Sequence, residues 1–494
     1  MKAEISRSVP GLKVGIAIKD GGRTIAETST TEDSIEIPVP GFRPWSPQDP
    51  HLYDMELTLF GSGGKETDRV KTYFGMRKIE VRPDSDGTPR ICLNGQEIFQ
   101  FGPLDQGYWP DGILTPPSDE AMAYDLEYLK KANINMIRVH IKTHPDRWYY
   151  HADRLGILVW QDMICMPKYG QTVTPEASEQ WLKEFHGMID WLYNHPSVTQ
   201  WIVFNEAWGQ HDTERITENI MAYDTTRIVT CASGWNDAPA GDVIDIHDYS
   251  FYPRSLPDWK LGGTRASVIG EAGGTNLAVA GHTWYSEKNL PANGGKNGHD
   301  SYRQKASFSF TTEGGRHTYS TAGEFEEAYS RYIRTLRWLR AAGGCNATVH
   351  TQITDVEHEL NGFMTYDRKV SKIPVEKLGE INSALYDKIQ VDTVLRWSGR
   401  CTEDTGSTFR ISGTGGTFCI GIFGTRDCEI YINGELFRKA KIGAGGNEPS
   451  YSFYEFFPED MHLLKKGKNR ISIKLLPAKA EGTFVKFSVL KTED

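Results

Sequence analysis

The chain has 494 residues, and 55 lysines and arginines against 65 aspartates and glutamates leave a formal charge of −10 at neutral pH. That balance argues against a phosphate-binding surface, and so against a nucleic-acid partner. With 38% hydrophobic and 24% charged residues, no apolar run approaches the roughly 20 residues of a membrane-spanning helix.

At about 150 residues per domain, the length predicts about three domains. The seven cysteines, Cys92, Cys165, Cys231, Cys345, Cys401, Cys419 and Cys428, contain no Cys-x-x-Cys pair. Neither a zinc ribbon nor a thioredoxin-type site is expected, and no metal ligand set is assigned. Cys419 and Cys428 are either a bridge or two small buried hydrophobes. The amino terminus, Met1 to Ile5, lacks the apolar core of a signal peptide. Thirteen tryptophans and 49 glycines suit aromatic platforms for sugar faces, or simply a core.

Residues 1–82 alternate in short apolar-polar runs, Leu12–Lys19, Ser34–Val39 and Leu52–Phe60, the pattern of an immunoglobulin-like β-sandwich. Too few strands are present for a whole sandwich, so the segment is expected to begin inside a domain. Residues 83–392 change to eight strand-like runs, 98–101, 136–140, 156–160, 198–204, 228–231, 243–246, 266–270 and 347–350. Helical periods fall at 118–132, 147–155, 177–194, 213–223, 324–342 and 374–389, with Ser118 and Thr213 as caps. Eight strands alternating with helices predict a (β/α)8 TIM barrel. Residues 393–494 return to strands at 408–412, 417–423, 428–432 and 470–475, with a hairpin signal at Asn433-Gly434. They predict a jelly-roll-like β-sandwich that either binds carbohydrate or braces the barrel.

A barrel does its chemistry where strands end. The residues there are Asp105, Arg138, His140, Asp162, Asn205, Glu206, Trp208, Trp235, His247, Asp248, Tyr249, Glu271, Gln352, Asp355 and Glu357. Serine-elbow, zinc-helix and phosphate-loop motifs are missing, which leaves paired carboxylates. One would be held neutral to protonate a leaving oxygen while the other attacks carbon. Glu206 and Glu271 follow strands four and seven, which face each other across a narrow barrel. A second Asn-Glu pair, Asn447-Glu448, lies in a Gly-rich turn, so position on the barrel separates the two. The apolar strand and Trp208 would keep Glu206 protonated, and Gly273 and Gly274 would leave room for a sugar over Glu271.

Trp45–Tyr53, Phe74-Gly-Met-Arg77 and Leu93-Asn-Gly95 resemble the sandwich-to-barrel junction of glycoside hydrolase family 2. His195-Pro-Ser-Val with Phe204–Gln210 is similar to that family's acid/base segment, and Val268–Gly274 to its nucleophile segment. Thr351–Gly362 and Tyr366-Asp-Arg368 resemble the strand-eight region of its β-galactosidase-like members. The resemblance implies Glu206 as general acid/base, Glu271 as nucleophile and Asn205 as partner of the sugar 2-hydroxyl. It implies retaining, exo-acting hydrolysis of terminal β-glycosides without a cofactor, a carbohydrate as substrate, and a periplasmic or secreted location.

Other candidates carry alternatives. Arg138 either pairs with Glu271 or holds an aspartate such as Asp162. His140 and His247 could bind sugar hydroxyls, although Arg138-Val-His140 departs from the Arg-x-x-His spacing of β-galactosidases. Tyr249 either hydrogen-bonds the nucleophile or packs. Trp208, Trp235 and Trp284 are either a sugar platform or core and rim. Gln352 is a further substrate candidate, and Asp355 and Glu357 either bind substrate or cap helix eight. No Asn-x-Lys occurs, the motif with which the family's β-glucuronidases read the sugar carboxylate. That disfavours a uronic acid and makes a galactoside the first expectation, ahead of other neutral glycosides. The rival reading is a carbohydrate-binding protein on a decayed barrel.

Overall fold

The computed structural model describes residues 5, 11–166, 172–257, 260, 262–273, 275–284, 318–357, 359–401, 405–442, 449–476 and 483–493. Strands β1 (Lys13–Asp20), β2 (Arg23–Thr30), β3 (Tyr53–Phe60) and β4 (Glu66–Phe74) form an antiparallel sheet in the order β2-β1-β3-β4. Alternate residues of β1, namely Val14, Ile16 and Ile18, are buried with Tyr53. Ser34–Val39 is not a strand: only an isolated bridge marks its start. Ile35, Ile37 and Val39 still pack on the sheet, but Pro38 and Pro40 have no N–H to give a ladder.

A small sheet follows, made of β5 (Ile79–Pro83), β6 (Pro89–Leu93) and β7 (Gln96–Glu97), with the β6–β7 turn carried by Asn94 and Gly95 at positive φ. Its Ile79, Ile91 and Leu93 pack among Leu104, Met136, Leu158 and Trp160 inside the barrel. Asn346, at the start of the last barrel strand, accepts from Ile91 N at 3.0 Å and donates to Pro89 O at 3.0 Å. The hairpin therefore closes the floor of the barrel.

The barrel consists of β8 (Gln100–Asp105), β9 (Met136–Val139), β10 (Leu158–Asp162), β11 (Val198–Asn205), β12 (Ile228–Ser233), β13 (Val243–His247), β14 (Ala266–Gly273) and β17 (Cys345–Thr351). They are parallel, in the order β12-β11-β10-β9-β8-β17-β14-β13, and β12 lies beside β13 to close the ring. A short pair, β15 (Asn276–Leu277) and β16 (Thr318–Tyr319), lies between the last two strands in sequence. Helices span Asp119–Lys131, Asp146–Leu155, Pro175–Leu192, Thr213–Tyr223, Ala322–Gly343 and Val375–Ser383. Ser118 caps the first by accepting from Ala121 N at 3.2 Å. Thr213 is not a cap. Asp212 holds that position in a left-handed conformation, and Thr213 is inside the helix, its carbonyl accepting from Thr217 Oγ1 at 2.7 Å.

No helix follows β12 or β13 among the described residues. The C-terminal sandwich occupies that side instead: Ser255, after β13, exchanges backbone bonds with Tyr451 at 2.9 and 3.1 Å. The sandwich has two four-stranded sheets. One joins β18 (Asp392–Arg400), β25 (Phe484–Thr492), β20 (Thr417–Gly424) and β23 (Ser450–Glu455). The other joins β19 (Gly406–Ile411), β24 (Gly467–Leu475), β21 (Cys428–Ile432) and β22 (Glu435–Ala440), with Asn433-Gly434 at the β21–β22 turn. Between them lies a core that includes Phe418, Ile430, Ile471 and Phe487. The outer face of the first sheet docks on the helix Ala322–Gly343. There Cys419, Phe453 and Leu490 join the barrel's core, and buried Glu455 accepts from Trp338 Nε1 at 2.9 Å and from Arg334 Nε at 2.7 Å. All seven cysteines are free thiols. Cys419 faces the barrel and Cys428 the sandwich core, so the bridge considered from the sequence does not form. The architecture is a TIM barrel between an immunoglobulin-like sheet and a jelly-roll-like sandwich. No described helix is long and apolar enough to cross a membrane.

Candidate active site

Period-two alternation points every second residue of a barrel strand inward, and at the C-terminal ends these inward residues are polar. Arg138 on β9 is fully buried and organises them. Its Nε and Nη2 grip Asp162, at the end of β10, at 3.0 and 2.9 Å. Nη2 also donates to Asn205 Oδ1 at 2.8 Å, and Nη1 to Gly270 O at 2.9 Å and Glu271 Oε1 at 3.4 Å. Both partners considered for Arg138 are therefore engaged at once. Burial alone would lower the guanidinium pKa, but the charges of Asp162 and Glu271 outweigh it and raise it. Burial alone would raise Asp162, but Arg138 and His140, whose Nδ1 lies 3.1 Å from Asp162 Oδ2, hold it below the ordinary aspartate range.

Glu206 follows β11 with φ at +49° and Ala207 at +62°, a left-handed pair that turns the chain out of the strand. Its side chain stays partly accessible at 26%. Burial raises its carboxyl above the ordinary glutamate range, against the opposing charges of His140 and Arg138. Glu271 is nearly buried on β14 and accepts from the Tyr249 hydroxyl. His247, fully buried at the end of β13, stands between the two glutamates. Its Nδ1 lies 2.9 Å from Glu206 Oε1, its Nε2 2.8 Å from Ser233 Oγ, and its Nε2 3.7 Å from Glu271 Oε1. Burial lowers its pKa to about 4, so the ring is neutral near neutrality. One carboxylate oxygen from each glutamate and a His247 nitrogen lie within 4.8 Å of one another. The same trio is a group that could hold a metal ion.

The remaining candidates divide. Trp208 and Trp235 are 40% and 44% exposed on the rim, and Trp235 meets the His247 ring edge-on at 5.4 Å. Trp284 is also exposed, packed against Tyr366 at 5.6 Å. Gln352 is buried and bonds Gln106, Glu359 and Asn361, each at 3.0 Å. Asp355 is neither a cap nor open to a ligand: it is buried against Lys372 Nζ at 2.6 Å and accepts from Gly362 N at 2.8 Å. Pro374 caps the last barrel helix, and Glu357 is exposed on the preceding loop. Gly273 makes room for His350 rather than for a ligand, because a Cβ there would come 2.2 Å from His350 Nδ1. Gly274 and the pair Asn447-Glu448 lie outside the described residues.

Sequence reasoning passed over Asp245 and Ser233. Asp245 shares the inward face of β13 with His247, and burial pushes its carboxyl up to about 7. It accepts from Gly270 N at 2.6 Å, and a Cβ on Gly270 would come 2.2 Å from its oxygens. The signal was available: an aspartate alternating in step with Val243 and His247 faces the barrel interior.

Residues 117–261 match the model described as glycosyl hydrolases family 2, TIM barrel domain, and residues 2–77 the model described as glycosyl hydrolases family 2. The chain belongs to glycosyl hydrolase family 2. A β-galactosidase of Aeromonas hydrophila is 28% identical over 353 residues, 64% of this chain and 33% of that protein. An exo-β-D-glucosaminidase of Amycolatopsis orientalis is 28% identical over 198 residues, 37% of this chain and 19% of that protein. This family 2 chain thus spans a third or less of the length of these relatives. A family 2 β-galacturonidase structure from Eisenbergiella tayi, bound to glycerol, superposes with a TM-score of 0.56 at 18% identity, over 77% of this chain and 67% of that one. A β-glucuronidase from Parabacteroides merdae superposes with 0.57 at 15% identity, over 97% and 60%. These superpositions establish the shared fold.

Proposed function

We propose that this family 2 barrel hydrolyses terminal β-glycosides with retention of configuration, by double displacement. The observation that carries this reading is the approach of Glu206 and Glu271, one carboxylate oxygen of each lying within 4.8 Å of the other. Retaining enzymes hold their carboxyl groups about 5–5.5 Å apart, whereas inverting enzymes leave about 6.5–9.5 Å for a water. Burial raises the Glu206 carboxyl above the ordinary glutamate range, which suits a group that gives its proton to the leaving oxygen and afterwards takes one from water. Glu271 attacks the anomeric carbon. Arg138 beside Oε1 and the Tyr249 hydroxyl on Oε2 fix its orientation. Neutral His247 spaces the two carboxyls without a charge of its own. Since Asn205 Oδ1 accepts from Arg138, its NH2 is the group left for the substrate, the right polarity to bind a sugar 2-hydroxyl oxygen.

For the sugar, a galactoside is the first choice. The likeness to β-galactosidases over the barrel and the missing Asn-x-Lys support a neutral sugar. A panel of galacto-, gluco-, manno- and glucurono-configured chromogenic β-glycosides tests this, with the first-formed anomer followed by NMR. Hydrolysis of the galactoside to the β anomer is expected. An α first product overturns the mechanism, a preference for the glucuronide overturns the sugar assignment, and no hydrolysis of any member favours a binding protein on a decayed barrel.

A further inference from the structure

At the C-terminal end of the helix Ala322–Gly343, the seam between barrel and C-terminal sandwich opens into a cleft of about 660 Å3. That lies within the ~300–1,000 Å3 of small-molecule sites, but the lining is unlike the usual apolar one. One wall is the outer face of the first sandwich sheet. Register pairs Arg396 of β18 with Ser488 of β25, and Ser398 with Lys486, which places two cations and two hydroxyls on that face. Gly421 pairs with Ser488 and keeps the floor low, since a Cβ there would come 2.8 Å from Phe453. Lys260 and Arg90 enter from the barrel side. Among the described residues the cleft thus gathers four cations against one carboxylate, Asp86, in a chain whose net charge is −10.

Arg90 is only partly paired. Arg90 Nε is bonded to Asp84 at 2.9 Å, but its Nη1 is buried with no hydrogen-bond partner. Lys260 Nζ donates to the Tyr451 hydroxyl at 2.7 Å and stands 4.2 Å from that ring's centre. Burial, and after it the neighbouring charge of Arg396, lower its pKa to about 8. Arg396 and Lys486 are exposed.

We propose that this cleft binds an acidic sugar chain, a run of hexoses bearing carboxylate or sulfate groups. Cations would take the anionic groups through charge-assisted hydrogen bonds, and Ser398 and Ser488 would meet ring hydroxyls. Arg90 belongs to the hairpin that closes the barrel floor, so the cleft lies at the opposite end of the barrel from Glu206 and Glu271. It would hold the enzyme on a polymer without occupying the catalytic mouth.

Isothermal titration of the whole chain tests this with oligogalacturonate, a sulfated galacto-oligosaccharide and a neutral galacto-oligosaccharide of equal length. At least one acidic chain should bind about tenfold or more tighter than the neutral one, and whichever does identifies the anionic group. Arg396→Ala and Lys486→Ala should each weaken that binding about tenfold, the loss of one charge-assisted contact. Arg396→Lys should retain most of it, and turnover of an aryl glycoside should stay within about twofold of the parent. Binding should survive Glu271→Gln, which separates this cleft from the mouth. The proposal is overturned if the neutral chain binds equally well, if the alanine variants keep full affinity, if Glu271→Gln removes binding, or if inorganic sulfate or an acidic peptide binds as tightly as the acidic sugar.

Discussion

His247 Nδ1 lies 2.9 Å from Glu206 Oε1, while its Nε2 is 2.8 Å from Ser233 and 3.7 Å from Glu271. One neutral ring therefore stands between the two carboxyls to which the proposed double displacement gives different protonation states. Their separate roles have separate consequences.

Glu206→Ala should lose at least about a hundredfold in turnover on substrates with poor leaving groups, but retain more on activated aryl glycosides, whose phenolate scarcely needs a proton. Azide should rescue it by attacking the glycosyl-enzyme, giving a β-glycosyl azide. Glu271→Ala forms no glycosyl-enzyme, so any azide product should be α. Chromatography and NMR of the azides decide the matter: reversed anomers would mean reversed roles.

The alkaline limb of kcat/KM should belong to Glu206. A general acid works protonated, so activity is full below its pKa and falls as pH rises through it. Burial places that pKa above the ordinary glutamate range. In Glu206→Ala, assayed on an activated aryl glycoside, the alkaline limb should vanish. Its persistence would assign the limb to another group.

Tyr249→Phe removes the hydroxyl that donates to Glu271 Oε2. A hydrogen bond to a charged group contributes about 1.5–3 kcal/mol, so kcat should fall about 10- to 100-fold with little change in KM. Steady-state kinetics on the best panel substrate checks this, and an unchanged kcat would reduce Tyr249 to packing.

His350 is buried on β17, stacked on Phe363 at 4.5 Å, and burial lowers its pKa to about 3. Unfolded histidine titrates near 6.5. Between those values the unfolded chain takes up a proton that the folded chain refuses, so this residue's contribution to stability falls as pH drops from about 6.5 towards 3. The cost is about 1.4 kcal/mol per pH unit, or about 2 kcal/mol at pH 5. His350→Phe should therefore lose less stability than the parent between pH 7.5 and pH 5, as measured by urea unfolding. Equal losses would place the titration elsewhere.

The barrel was legible because parallel strands covered on both faces read as unbroken apolar runs such as Val198–Phe204, and strand ends then single out Glu206 and Glu271. What escaped had physical reasons. Strands β2 and β4, Arg23–Thr30 and Glu66–Phe74, are mostly exposed and polar, so no alternation marks them. Ser34–Val39 has real alternation but two prolines where a ladder needs donors. The contacts of His247 with Ser233 and Glu206 join three strands, and no spacing along one strand encodes them. Asp355 was misjudged because a carboxylate after a strand looks alike whether it faces a ligand or, as here, Lys372.

The hairpin of β5 and β6 makes the barrel depend on chain that precedes its own first strand. Residue 82, where the sequence pattern changes, lies within β5. Cutting there, or transplanting the barrel from Gln100 onward, would leave a tube open at its base, with Met136, Leu158 and Trp160 facing water in place of Ile79, Ile91 and Leu93. Exchange between relatives, in a genome or at the bench, would therefore succeed only when the hairpin travels with the barrel. Trp45, fully buried in the same cluster and donating from Nε1 to Asp153 O at 2.8 Å, ties the first sheet to the barrel as well, so the sheet should travel with them.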